Sequence, residues 1–377
     1  MFLALRELVF ARGRFALMGS VVALIAVLVV LLSGLSVGLV NDGVSGLKKM
    51  PVSSFAFQEG VAKDSAFSRS IVTRDAVEKW SEQDGVDEAA PFGNTLVNAR
   101  SDEGVEIDLA LFGVETDSFL APEAAEGSGL TDAPDGIVIS ETAAEEGIAI
   151  GDVIRLKPSE TPLRVVGILD GQHTYGHVDI AYLPLKTWQE VRAGARPGET
   201  VPPRTYDEFT AVAVKDKPDA EVDVAAADKA AGTTSFTLEE SFGASPGYTA
   251  ETSTLQLIQG FLYAISALVV GAFFTVLVIQ RRQELAVLRA MGASTGYLLR
   301  DSLLQSLVLL VVSAGIGVGI GLAGGAALAS TPMPFSLEAG PIAVATVLLI
   351  TLGLVGAAFA VLRVTRVDPL TALGGNR

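Results

Sequence analysis

The chain has 377 residues, half of them hydrophobic, with a mean hydropathy of +0.46 and 19% charged side chains, too apolar for an average soluble domain and too charged for a protein embedded in lipid throughout. Cysteine is absent, which excludes disulfides, thiolate metal sites and cysteine nucleophiles and leaves any outward-facing domain to hold together by packing alone. The net charge of −16 is hostile to nucleic acid, and none is expected as a partner, but its distribution is more informative than its total.

At the N-terminus Phe2, Leu3, Leu5, Leu8 and Val9 alternate with Arg6 and Glu7 at helical spacing, the pattern of an amphipathic helix lying along the inner membrane surface. An apolar run over 15–40 follows. It carries no charge from Phe15 to Asn41, longer than a signal-peptide core, and reads as a retained membrane helix. Further runs over 254–280, 303–329 and 341–362 are also long enough to span a bilayer, which takes about 20 residues. Grouping the N-terminus, the loop after the second run and the C-terminal tail on one side collects ten arginines against four acidic residues. Short positive loops stay in the cytoplasm. The segment between the first two runs holds 17 Lys/Arg against 38 Asp/Glu and belongs outside.

That outer segment has the alternation of a mixed α+β domain. Strands are expected over Glu106–Val114, Gly136–Ser140, Asp152–Lys157, Leu163–Leu169, Ile180–Leu183 and Phe209–Val214, with helices at Ser140–Glu146 and Thr187–Ala193. There is material for two small lobes. Pro197, Pro202 and Pro203 mark a loop. The expected organisation is 1–42 for the amphipathic helix and first membrane helix, 43–252 for the extracytoplasmic domain, and 253–377 for the last three membrane helices with a cytoplasmic loop at 281–300.

In that loop, Arg281–Ser294 places four apolar side chains on one side of a short helix, with three arginines and a glutamate around them and a glycine at its end. Such a surface suits a groove on a soluble partner. In the third membrane helix Gly315, Gly317, Gly319, Gly321, Gly324 and Gly325 recur. The pairs Gly315/Gly319 and Gly321/Gly325 would let another helix approach closely, within one chain or across a dimer seam.

Candidate ligand-binding groups lie on either side of the outer domain. Glu251 precedes or enters the first turn of the second membrane helix, where a carboxylate gains about 0.3–1 kcal/mol from the helix N-terminus whatever else it does. In a two-fold dimer two copies of Glu251, beside aromatic residues such as Tyr248, could hold a flat amphiphile with a metal or cationic centre. Glu59 is the second carboxylate. Phe55 and Phe57, on one face of a strand, could form an apolar wall or be buried under the domain. Lys48 and Lys49 suit interfacial anchoring or an acidic headgroup. His173 and His177 are four apart, the spacing of two metal ligands on a helix, but flanking glycines favour a surface turn and no third ligand is signposted, so no metal site is assigned. Neither a serine nucleophile elbow nor a Gly-x-x-x-x-Gly-Lys-Ser/Thr phosphate loop is present.

The one-plus-three helix arrangement, the loop Arg281–Ser294, the tail Arg363–Leu373 and the segments Gly136–Ser140, Gly151–Ile154 and Val165–Ile168 resemble the permease subunits of MacB/FtsX-type ABC transporters over nearly the whole chain. The resemblance implies an α-helical membrane protein with four transmembrane helices plus a large α+β extracytoplasmic domain between helices 1 and 2. It implies a homodimer in the cytoplasmic membrane with both termini cytoplasmic, and a separate ABC ATPase dimer that binds ATP and magnesium while the permease itself is no enzyme and has no intrinsic cofactor. Arg282, Glu284, Leu285, Leu288, Arg289, Met291 and Gly292 would couple to that ATPase. Within the family the architecture is most similar to haem-exporter permeases, which makes haem the expected substrate and Glu251, Glu59, Phe55, Phe57 and Tyr248 its candidate site. Export of a peptide, antibiotic or lipid-linked cargo, and a transmembrane scaffold that activates a cell-wall hydrolase, are the alternatives.

Overall fold

The computed structural model describes residues 12–131, 133–280, 291, 294–331 and 333–365. The chain forms two compact units, Met1–Leu39 with Thr252–Arg377, and Val40–Glu251. In chain order the first helix, α1, runs Arg12–Lys48. It is followed by β1 (Ser54–Gln58), α2 (Ala66–Arg69), β2 (Val72–Thr73), α3 (Arg74–Ser81), β3 (Val86–Ser101), β4 (Glu106–Val114), β5 (Glu126–Gly127), β6 (Gly136–Ile139) and α4 (Glu141–Glu145). Then come β7 (Val153–Lys157), β8 (Pro162–Ile168), β9 (Thr174–Tyr175), β10 (Val178–Pro184), α5 (Leu185–Arg192), β11 (Glu208–Phe209), β12 (Ala211–Asp216), α6 (Val224–Ala231), β13 (Thr233–Thr237) and α7 (Leu238–Ser241). Three long helices close the chain: α8 (Tyr248–Gln280), α9 (Thr295–Ala329) and α10 (Ala339–Thr365).

Four helices are long and apolar enough to cross a membrane, at Phe15–Lys48, Tyr248–Phe273, Arg300–Ala329 and Ala339–Ala360. They pack by close approach at glycine. A Cβ on Gly317 would lie 2.2 Å from the carbonyl oxygen of Ala23 and 2.6 Å from the Ala26 Cβ, and one on Gly321 would lie 2.8 Å from Val30. Gly325 meets Phe335 and Leu337 in the same way. Gly315, Gly319 and Gly324 have nothing within 4 Å of a built Cβ. The expected glycine pairs therefore separate: Gly321/Gly325 serves packing inside the chain, and Gly315/Gly319 lies open. Between α8 and α10, a Cβ on Gly356 would sit 2.5 Å from the Ala267 carbonyl oxygen.

The Val40–Glu251 unit is built on one mixed sheet in the order β13-β1-β12-β3-β4-β10-β6-β8-β5, with β7 joining β3 to β8 and β9 pairing β10. The pairs β4/β10 and β6/β8 are parallel. One apolar cluster gathers Trp80, Trp188 and Phe209, and a second gathers Phe55, Phe57, Phe67, Phe92, Phe112 and Tyr175. The expected two lobes are thus one body. The reason is β3, sixteen residues long, which pairs with β12, β4 and β7 and so carries the sheet across the whole domain. Sequence reading missed this strand because Pro91, Gly93, Asn94 and Asn98 interrupt its alternation.

Helix α1 also runs past its expected end near residue 40. Val44 and Leu47 are fully buried in the aromatic cluster, and this burial holds 41–48 helical despite two glycines. Gly46 is needed there, since a Cβ would fall 1.9 Å from the Ile180 side chain and 3.1 Å from the Thr174 carbonyl oxygen.

Candidate functional site: a carboxylate–imidazole–carboxylate clasp

Three segments of the Val40–Glu251 unit meet at His177: the end of α1, the β9–β10 hairpin and the first turn of α8. The hairpin fixes the ring. Tyr175 pairs with Val178 across a two-residue turn, and both turn residues have positive φ, Gly176 at 61° and His177 at 66°. This is the combination that a type I′ turn requires. Histidine is among the few side chains that tolerate this region, at some cost, and the position aims the imidazole away from the hairpin.

His177 Nδ1 lies 2.8 Å from Asp42 Oδ2, and Nε2 lies 3.0 and 3.1 Å from the two Glu251 oxygens. The ring thus stands between two carboxylates, each within hydrogen-bond reach of one of its nitrogens. The three side chains are a quarter to a third exposed, and water screening places each link near the lower end of the roughly 1.5–3 kcal/mol of a charged hydrogen bond.

The surroundings hold this arrangement. Asp42 Oδ1 accepts from Gln172 Nε2 at 3.0 Å. The Gly43 carbonyl accepts from Gly176 N at 2.9 Å and from Ser245 Oγ at 3.1 Å, so one carbonyl of α1 ties both other segments. Ser45 Oγ and Thr174 Oγ1 are 2.7 Å apart, and Thr174 N donates to Ser45 Oγ at 2.9 Å. Gly247, with φ 78°, leaves room for the Glu251 carboxylate, which a Cβ there would approach to 3.2 Å. Beside the ring lies a cavity of about 330 Å³ lined by Glu106, Asp108, Glu146 and Asp179. Burial pushes the Asp179 carboxyl upward, opposed by the hydroxyls of Thr142 and Ser140.

The two histidines do different work. His173 N donates to Ser140 Oγ at 3.0 Å, and burial, aided by the Lys49 charge, pulls the ring down to about 4, so it is neutral at pH 7. The turn expected from the flanking glycines is present. The two nitrogens of His177 point at separate carboxylates, and among the described residues no three His, Asp or Glu side chains converge as metal ligands would.

Of the residues expected to meet cargo, Glu251 is in the clasp and Tyr248 is half-buried one turn earlier, its ring 6.1 Å from Phe242. Glu59 is exposed in the turn at the far end of β1, its N–H on the Gly232 carbonyl at 3.2 Å. Phe55 and Phe57 do not form an accessible wall. Both are fully buried, 5.3 and 4.9 Å from the ring of Phe67, because β1 lies inside the sheet with the domain core over that face. Lys48 donates to Asn41 Oδ1 at 2.7 Å and Lys49 to the Asp170 carbonyl at 2.9 Å, bonds within the same unit rather than free anchors.

The coupling residues Arg282, Glu284, Leu285, Leu288, Arg289 and Gly292, the N-terminal amphipathic segment and the end of the tail lie outside the described residues. Met291 is 71% exposed. Sequence reasoning overlooked Asp42, and it placed His177 in a surface turn without a partner. A signal for Asp42 was available: it is the first charge after the uncharged run that starts at Phe15.

Comparison with known proteins places this geometry in a family. Residues 15–233 match the MacB-like periplasmic core domain, and residues 257–369 match the FtsX-like permease C-terminal domain. A Staphylococcus epidermidis protein provisionally named hemin transport system permease protein HrtB is 26% identical over 381 residues, covering 100% of this chain and 99% of its own. Its Staphylococcus haemolyticus namesake is 24% identical over 373 residues, covering 99% of each chain. An uncharacterized ABC transporter permease of Mycobacterium tuberculosis is 24% identical over 387 residues, covering 100% of this chain and 99% of its own. Among solved structures, the extracellular domain of the transporter YknZ matches with a TM-score of 0.34 at 15% identity, over 49% of this chain and 98% of that one. The periplasmic region of MacB from Actinobacillus actinomycetemcomitans matches with a TM-score of 0.36 at 13% identity, over 50% and 91%. With four candidate membrane helices and both family domains in order along its length, the chain belongs to the MacB/FtsX family of ABC-transporter permeases, in which ATP hydrolysis is the task of a separate subunit.

Proposed function

We propose that the protein is the permease of a haem efflux pump: a homodimer in the cytoplasmic membrane, both termini cytoplasmic, that takes haem from the outer leaflet and is driven by a partner ATPase holding ATP and magnesium. The observation that carries the reading is the end-to-end similarity to the staphylococcal hemin permeases. Glu251 and Tyr248, at the start of α8, are the groups this reading puts against the cargo.

The clasp supplies a mechanical step. His177 occupies both Glu251 oxygens, so the carboxylate can turn to an iron-bearing amphiphile only when the ring lets go. The same ring holds Asp42 on α1. A stroke that shifts the end of α1 against the start of α8, begun by the ATPase at Arg282–Gly292, would therefore be felt at the hairpin without any channel through the protein. Movement of the clasp would then alternate Glu251 between His177 and cargo.

The test is reconstitution of the permease with its ATPase in lipid vesicles loaded with haem. The expected result is a saturable haem absorption change and ATP-dependent loss of haem from the bilayer, both reduced in Glu251→Ala. Absence of any saturable spectral change, with a cell-wall hydrolase co-purifying instead, overturns haem export in favour of a signalling scaffold.

A further inference from the structure

Beside Tyr175 the domain carries a second polar feature that the transport reading does not use. A cavity of about 250 Å³ is lined by Phe67, Asn94, Leu96, Tyr175, Arg192 and Pro246. Asn94 is 7% exposed, yet its Oδ1 has no hydrogen-bond partner among the described residues. A buried amide oxygen without a donor is a standing deficit that a ligand N–H or O–H would remove. Arg192 lies over the Trp188 ring at 5.3 Å and makes a single long bond, 3.3 Å, to the Ser70 carbonyl. It forms no ion pair among the described residues; burial pulls its guanidinium down, and the charge of Glu208 opposes this.

The strand register says what kind of molecule fits. On one edge β3 pairs continuously with β4 from Phe92 to Arg100. On the other edge β12 pairs only as far as Phe92, and β7 begins only at Asn98. Residues 93–97 therefore have a strand on one side alone. Thr210 Oγ1 takes the Asn94 N–H at 3.0 Å, which leaves the gap centred on Leu96. The cavity is lined by three successive residues, Asn94, Thr95 and Leu96, whose side chains alternate between faces, so it wraps the open edge of the strand rather than lying on one face.

We infer that this gap is a binding site for the free C-terminal end of an extended peptide, its carboxylate on Arg192, its last amide N–H on Asn94 Oδ1 and one apolar side chain against Phe67, Leu96 and Pro246. Edge pairing explains the extended form, the unpaired guanidinium explains the carboxylate, and a volume below the roughly 300 Å³ of ordinary ligand pockets limits the buried part to about one residue. The site lies in the Val40–Glu251 unit, where a peptide from outside the membrane would encounter it.

The experiment titrates the full-length permease in lipid nanodiscs with N-acetyl-leucyl-leucine, followed by calorimetry and by the fluorescence of Trp188, which lies against Arg192. The expected result is saturable binding that is weakened about tenfold or more by Arg192→Gln, by Asn94→Leu and by replacing the peptide carboxylate with an amide. Leu96→Trp, at a side chain 46% exposed on the rim, fills the cavity without disturbing the core and should abolish binding with the melting temperature unchanged. The inference is overturned if no saturable binding occurs or if acid and amide bind alike.

Discussion

The two units of the chain are held together in different ways. In the helical unit, hydroxyl side chains turn back on their own helices: Thr275 on the Gly271 carbonyl, Ser306 on Ser302, Thr346 on Ile342. Contact between helices there is made by close approach at glycine and alanine and by apolar clusters such as Phe15, Met18, Val270 and Leu310. In the Val40–Glu251 unit, polar side chains bridge segments more than a hundred residues apart, as Ser45 does with Thr174 and Asp42 with His177. The difference follows from the solvent. In lipid there is no hydrophobic gain in joining two apolar helices, so shape decides, whereas in water burial drives collapse and specific polar bonds select which segments meet.

The comparison can be tested from either side. The largest effect is expected in the aqueous core: Phe57→Ala removes a fully buried ring and should cost about 3–5 kcal/mol, read by denaturant unfolding of the domain signal. If Phe57 instead lined a cargo surface, stability would hold and haem binding would fall. Next, Gly317→Leu drives a side chain into the Ala23 backbone and should cost about 1–3 kcal/mol or more, seen as lost yield of monodisperse protein in detergent.

Intermediate in size, His177→Asn keeps a residue tolerant of positive φ but cannot span both carboxylates. A loss of about 2 kcal/mol is expected, with faster amide exchange confined to residues 174–178 and the helices unaffected.

A smaller effect concerns His173. Its folded value of about 4 lies below the ordinary 6.5, so between these limits the unfolded chain binds more protons than the folded one. The stability from its neutral burial is complete above pH 6.5 and is lost as pH falls toward 4. His173→Gln should flatten the stability curve over that window. Asp179, whose raised carboxyl has the opposite sign, is common to both proteins and cancels in the difference. Last, Gly319→Leu projects into open space and should alter the stability of the chain by no more than about 0.5 kcal/mol, which sets the scale against Gly317→Leu on the same helix.

Much of the fold was legible in sequence because its signals are local. Four apolar runs became four long helices, and Glu106–Val114 is a strand at its expected bounds. The β3 strand was not, since Pro91 and Gly93 are tolerated only where β4 and β12 already flank it. At the site, Glu251 was singled out from its place at a helix start, while Phe55 and Phe57 were left between an apolar wall and burial, and the sheet, which puts β1 between β12 and β13, buries both.

The sequence by itself determined the class of protein: which stretches enter lipid, which face water, and the arginine-rich segments between, all of them functions of side chains near one another in the chain. Only the tertiary structure decided that Asp42, His177 and Glu251 share a proton-bearing ring, that one glycine stripe on α9 is packed and the other open, and that β3 has an unpaired stretch at Leu96. These depend on pairings 74 and 135 residues apart, and on which face of a helix or strand a neighbour covers. Local propensity carries no information about either.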